Sequence, residues 1–231
     1  LLSVNEHLNC RRVIQSVIEG LEEAKKECNI FYNVIACAMR HHSEEENLEM
    51  MKVAREFLGE GLCAVDLAGN EAAFPMENYV ELFGEAKKLG LPFTIHAGEC
   101  GRVENVIQSV ECGAARIGHG IALRGNRDGI SLCKEKGIGI EMCPISNLQT
   151  KSVQNPSEYP LREFIDAGLR VTINTDNRTV SNSSLQKEME FVKKQYGITD
   201  DELIKLTGNA IDVAFAEDSV KEELWRRLRG V

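Results

Sequence analysis

The stretch Pro92-Phe93-Thr94-Ile95-His96-Ala97-Gly98-Glu99 sets the reading of this chain. A short run of apolar and β-branched residues breaks without a spacer into histidine, glycine and glutamate. Runs of this length and type read as buried strands, so 92–95 is predicted to be a strand with polar residues at its C-terminal tip. The pattern recurs on both sides, with strands predicted over 30–39, 62–67, 116–118, 139–143 and 170–174. Charged amphipathic segments at 44–58, 77–89, 103–112, 127–136 and 159–167 separate them, each able to cover one face of a sheet. A helical pattern over 11–26, with Val13, Val17, Ile18 and Leu21 on one face, precedes the first strand. After the last come helical segments at 183–194, 200–214 and 219–229, with Asp200 and Ser219 as candidate N-caps.

The strand starts are spaced by 28 residues on average over six strands. A (β/α)8 barrel of about 250 residues repeats at nearly this interval. With no strand ahead of the first helix, a barrel reading lacks two β/α units at the N-terminal side. An open doubly wound sheet of six strands explains the order equally well.

Length and composition narrow the class. The 231 residues, 43% apolar and 27% charged, suit one domain over 1–231 that buries roughly 70% of its unfolded surface. No run approaches the roughly 18 apolar residues of a membrane span, and Leu1-Leu2-Ser3-Val4 does not read as a signal peptide. The C-terminus reads as complete. The net charge of −9 repels phosphate backbones, so nucleic acid is not an expected partner. Eight cysteines stand singly with no Cys-x-x-Cys pair, which predicts reduced thiols and a cytoplasmic location. Those at Cys37, Cys63 and Cys143 are assigned to packing inside strands, and His7, His41 and His42 to solvated or capping positions.

Five strand tips carry chemistry: Asp66 to Glu71, His96 to Glu99, Gly118-His119-Gly120, Pro144 to Asn147, and Asn174-Thr175-Asp176-Asn177. In a parallel β/α protein these ends converge on one face, where ligands bind. His96 is placed to ligate Zn2+ through a neutral imidazole. Glu99 is a candidate acid/base in a half-buried pocket that raises its pKa. Asp176 can ligate zinc or orient its water, and His119 lies between two glycines that admit substrate or metal. There is no His-Glu-x-x-His, no Pro-Cys-x-x-Cys and no glycine-rich phosphate loop.

Thr94-Ile95-His96-Ala97-Gly98-Glu99, Arg116-Ile117-Gly118-His119-Gly120, Glu141-Met142-Cys143-Pro144-Ile145-Ser146-Asn147 and Asn174-Thr175-Asp176-Asn177, in that order, resemble the adenosine deaminases of the amidohydrolase superfamily. The Val65 to Glu71 tip is similar to the segment that separates them from adenine deaminases. The resemblance implies a TIM (β/α)8 barrel of the amidohydrolase type, here with six parallel strands and without the first two β/α units. It implies one zinc ion held by His96, Asp176 and a His-x-His pair absent from this sequence. It implies hydrolytic deamination of adenosine to inosine and ammonia, with the purine nucleoside and water as partners. In that scheme Glu99 protonates N1, and His119 and Asp176 hold the attacking water and take its proton. Gly69 N–H contacts N3, Asn177 contacts N7, and Asp66 orients a metal-ligating histidine. The isolated 231 residues are expected to be inactive. Deamination of adenine or another aminopurine, and a metal-free non-catalytic barrel fragment, are the competing readings.

Overall fold

The computed structural model describes residues 1–100 and 102–230. Six parallel strands are present: β1 (Val34–Met39), β2 (Leu62–Ala68), β3 (Thr94–Ala97), β4 (Arg116–His119), β5 (Gly139–Met142) and β6 (Arg170–Ile173). β1 pairs with β2, and β3 to β6 form a second ladder in chain order. The bridge between Val65 and Phe93, with Val65 N–H donating to the Pro92 carbonyl (3.0 Å), joins the two. The order is thus sequential from β1 to β6. A doubly wound sheet would reverse at a switch point, so the strands are instead an arc of barrel wall. Among the described residues β1 and β6 do not pair with each other, and the arc stays open over the two units that an eight-unit barrel would add.

The helices are α1 (Cys10–Glu27), α2 (Glu44–Phe57), α3 (Val80–Lys88), α4 (Val103–Cys112), α5 (Arg127–Glu135), α6 (Pro144–Gln149), α7 (Leu161–Ala167), α8 (Arg178–Ser181), α9 (Leu185–Tyr196), α10 (Asp200–Val213) and α11 (Asp218–Arg229). Strand side chains alternate between faces, and the register exploits this. Ile95, Ile117, Ile140 and Val171 are successive partners and are fully buried in the apolar core. Each such side chain contributes about 1.5–3 kcal/mol on burial. The alternate row, His96, Gly118, Glu141 and Thr172, is polar. Glu141 accepts from Thr94 Oγ1 (3.1 Å) and pairs with Arg116 (2.5 Å), so the polar side of the arc is cross-bonded from strand to strand. No described helix is long and apolar enough to cross a membrane.

Several boundaries differ from the sequence reading. β3 runs to Ala97, so His96 lies within the strand. The segment at 77–89 opens as a 3-10 turn, Met76–Tyr79, before α3. Cys143 caps α6 and does not belong to β5, because Pro144 cannot donate to a ladder. Thr199, not Asp200, caps α10: its hydroxyl accepts from Glu202 N–H (3.2 Å) while Glu202 accepts from Thr199 N–H (2.9 Å), a reciprocal box that puts Asp200 at the first helical position. Glu217, not Ser219, precedes α11. On α1 the buried residue is Ile14, whereas Val17 is exposed.

Candidate active site

The strand tips bring the predicted residues together in linked pairs. His96, on β3, is half-buried, and its Nδ1 lies 2.9 Å from a carboxylate oxygen of Asp66 on β2. Burial opposes a charge on this imidazole, but the Asp66 carboxylate outweighs it and pushes the pKa up to about 9. Burial would raise Asp66 in turn, but His96 holds its carboxyl below the usual value. Asp66 also accepts from Leu67 N–H (2.7 Å) and from the Cys37 thiol (3.7 Å). With Nδ1 committed to Asp66, Nε2 is the nitrogen left for a ligand, the arrangement that orients metal-binding histidines.

Glu99 and His119 form the second pair, with Oε2 3.7 Å from Nε2. The other Glu99 oxygen accepts from Ser152 Oγ (3.2 Å), Thr150 Oγ1 (3.4 Å) and Asn147 Nδ2 (3.5 Å). His119 is buried, and its ring centroid lies 5.2 Å from that of His96. Its Nδ1 is 2.9 Å from Asn147 Nδ2, while Tyr159 donates to Asn147 Oδ1 (3.4 Å). With the amide turned this way, His119 Nδ1 accepts, so the neutral ring carries its proton on Nε2, facing Glu99.

Asp176 stands at the exposed tip of β6, and its Oδ2 accepts from Ser146 Oγ (2.6 Å). It adds to the electrostatic hold on His96. His119 (φ +66°) and Asp176 (φ +56°) both occupy the left-handed region without being glycine, a cost of about 1–3 kcal/mol each that surrounding structure must offset. Gly118 packs tightly on the neighbouring strand: a Cβ there would meet His96 atoms at 3.2–3.3 Å, so His96 would have to shift by a few tenths of an ångström. Gly69 (φ +112°) and Asn177 are exposed at the rims of β2 and β6. Asn177 Oδ1 accepts from Val180 N–H (3.0 Å) to cap α8, so its Nδ2 is the end left to face a ligand.

Four participants carry no assignment in the sequence reading. Ser146 and Asn147 sit in the quoted Pro144 to Asn147 tip, and that tip was their only signal. Glu71 ends the β2 tip and is buried. Arg40 is fully buried beside the exposed His41, donating to the carbonyls of Phe74 (2.7 Å) and His96 (2.8 Å).

As a zinc site, His96 Nε2 and Asp176 supply nitrogen and oxygen donors of the right type. Among the described residues no group of three or more histidines, cysteines or acids could hold a metal ion. The chain thus fits half of a closed ligand set.

The entire chain, residues 1–231, matches the family model for adenosine deaminase. The chain belongs to the adenosine deaminase family. It is 40% identical over 221 residues to the adenosine deaminase of Enterococcus faecalis, covering 96% of this chain and 66% of that relative. It therefore spans about two thirds of the length of the curated relative it matches. Solved structures share the fold: an adenine deaminase from Arthrobacter aurescens (TM-score 0.85, 23% identity, 96% of this chain and 67% of that one) and an amidohydrolase from Burkhoderia ambifaria with bound Zn (TM-score 0.86, 21% identity, 97% and 66%). For this member of the adenosine deaminase family, the TIM-barrel architecture that the family resemblance implied stands, with the chain covering about two thirds of those solved chains.

Proposed function

We propose that the enzyme carrying this chain hydrolyses the exocyclic amine of adenosine and 2′-deoxyadenosine, giving inosine or its deoxy form and ammonia, in purine salvage. The observation that supports the reading is the closeness of the Glu99–His119 pair to the His96–Asp66 pair, whose imidazole rings lie 5.2 Å apart, with the Asp176 charge acting on His96. His96 and Asp176 would hold zinc, which when bound supplies the Lewis acidity that makes water a nucleophile near neutral pH.

The chain's own residues do the rest. Glu99, with one oxygen held by three donors, is the group that delivers a proton to purine N1 through the other, which drains the ring and makes C6 electrophilic. His119 presents Nε2–H to the attacking water, and Asp176, with Oδ2 on Ser146, offers its second oxygen to take the water's proton. This sharpens the shared role expected for the two: His119 donates and Asp176 accepts. Gly69 N–H meets N3. Asn177 Nδ2 donates to N7, a fit to the purine's acceptor edge. Eight unpaired thiols suit a reducing, cytoplasmic compartment.

The test is ammonia release by the purified intact enzyme with adenosine, 2′-deoxyadenosine and adenine in parallel. Turnover of the nucleosides well above adenine supports the reading. Preference for adenine would move the enzyme to the other aminopurine class, and no turnover of any would leave a non-catalytic barrel.

A further inference from the structure

Two carboxylates stand on adjoining tips of this site, and their surroundings differ sharply. Glu99 keeps one oxygen, Oε2, on the side of His119, 3.7 Å from Nε2. Glu71, 5% exposed, has none to spare. Its Oε1 accepts from Gly98 N–H (2.6 Å) and Asn105 Nδ2 (2.7 Å), and its Oε2 accepts from Glu99 N–H (3.0 Å) and Cys100 N–H (3.3 Å). Three successive backbone amides thus close on one carboxylate, an anion nest, and a fourth donor comes from α4. Asn105 is itself fixed, accepting from Met76 N–H (2.9 Å). With roughly four acceptor positions on a carboxylate all taken, Glu71 can neither ligate a metal nor pass a proton.

The turn it grips is the one that carries Glu99. Gly98 adopts φ +73°, and a Cβ there would stand 2.6 Å from Val106 Cγ2, so this turn has one packed geometry. Glu71 lies two residues after Gly69 on the β2 tip. It therefore ties the turn that reaches purine N1 to the turn that reaches N3.

We propose that Glu71 is the positioning residue for Glu99, holding the proton donor in register with the Gly69 turn over a single purine ring. The inference rests on the deaminase reading of the site. A glutamine at 71 offers one carbonyl oxygen and turns an N–H2 group toward donors, so the turn loses its anchor while the fold keeps its core.

In the intact, zinc-loaded enzyme, Glu71→Gln is expected to lower kcat for adenosine about 100-fold, the usual consequence of a displacement near 1 Å. KM is expected to change less than about 3-fold because the Gly69 contact is uniform binding, with zinc content unchanged. Amide hydrogen exchange should accelerate selectively at Gly98, Glu99 and Cys100, with Ile95, Ile117 and Ile140 unaffected. A kcat near wild type, a change confined to KM, or exchange rising equally at the core amides would overturn the proposal. If that variant does not fold, Asn105→Ala removes one of the four donors and should give the same pattern at smaller size; unchanged kcat and unchanged exchange at the turn would overturn it. An enzyme that does not turn over adenosine defeats the deaminase reading, and the exchange contrast still reads the anchor.

Discussion

The two sides of the site are built to different standards. Around Glu99 and His119 the supports lie within the chain: Asn147 on His119, Ser152 and Thr150 on Glu99, and Glu71 beneath the turn. Around His96 and Asp176 only the supports are complete, Asp66 behind one and Ser146 behind the other, while the face between them offers two donors and Asp176 is exposed. The Glu99–His119 side is thus preorganised by contacts within this chain, while His96 and Asp176 offer two donors of a type that suits a metal. Preorganised dipoles need no rearrangement at the moment of reaction, whereas a half-filled coordination shell binds weakly whatever its orientation.

The largest effects should separate the two sides. Glu99→Gln in the intact enzyme should lower kcat by about 10³- to 10⁴-fold, at the upper end for an acid/base group, with zinc retained at the wild-type ratio; near-normal turnover would remove the proton-donor role. His96→Ala should do the reverse, with metal lost first and activity following. An unchanged metal-to-protein ratio by elemental analysis takes His96 out of the ligand set. His119→Ala should lower kcat by about 10²- to 10³-fold, and a change confined to KM contradicts its role at the reacting water.

How much of this could be read from the chain depends on range. The alternation of β-branched runs with amphipathic segments is local, so six strands and their tips were legible, and with them His96, Glu99, His119 and Asp176. Choosing the barrel over the open sheet needed the sequential strand pairing, which no local pattern encodes. Glu71, Asn147 and Arg40 were illegible because their partners lie 27, 28 and 56 residues away along the chain. That Val17 is exposed while Ile14 is buried could not be read either, because apolar spacing on α1 names a stripe without naming which edge of it packs.

A smaller effect probes the support of His119. Asn147→Asp replaces the donor to Nδ1 with an acceptor and should move the neutral ring's proton to Nδ1, read directly from the nitrogen-15 shifts of His119, with kcat lowered about tenfold. A ring that keeps its Nε2 proton breaks the tautomer assignment.

The smallest effect lies far from either side. Glu202 is held down to about 2 by its hydrogen bond from Arg162, with help from the Thr199 amide. A carboxyl lowered in the folded state stabilises above its ordinary value of 4.5, and this contribution is lost as pH falls from there through about 2. The urea midpoint of Glu202→Gln should therefore lie below wild type at neutral pH and converge with it in acid. Parallel curves through that window would contradict the assignment.

The most direct test of the proposed metal site is the anomalous diffraction of zinc in crystals of the intact enzyme. The proposed reading predicts one peak about 2.0–2.2 Å from both His96 Nε2 and an Asp176 carboxylate oxygen. A peak bonded to neither residue, or to only one of them, would contradict it.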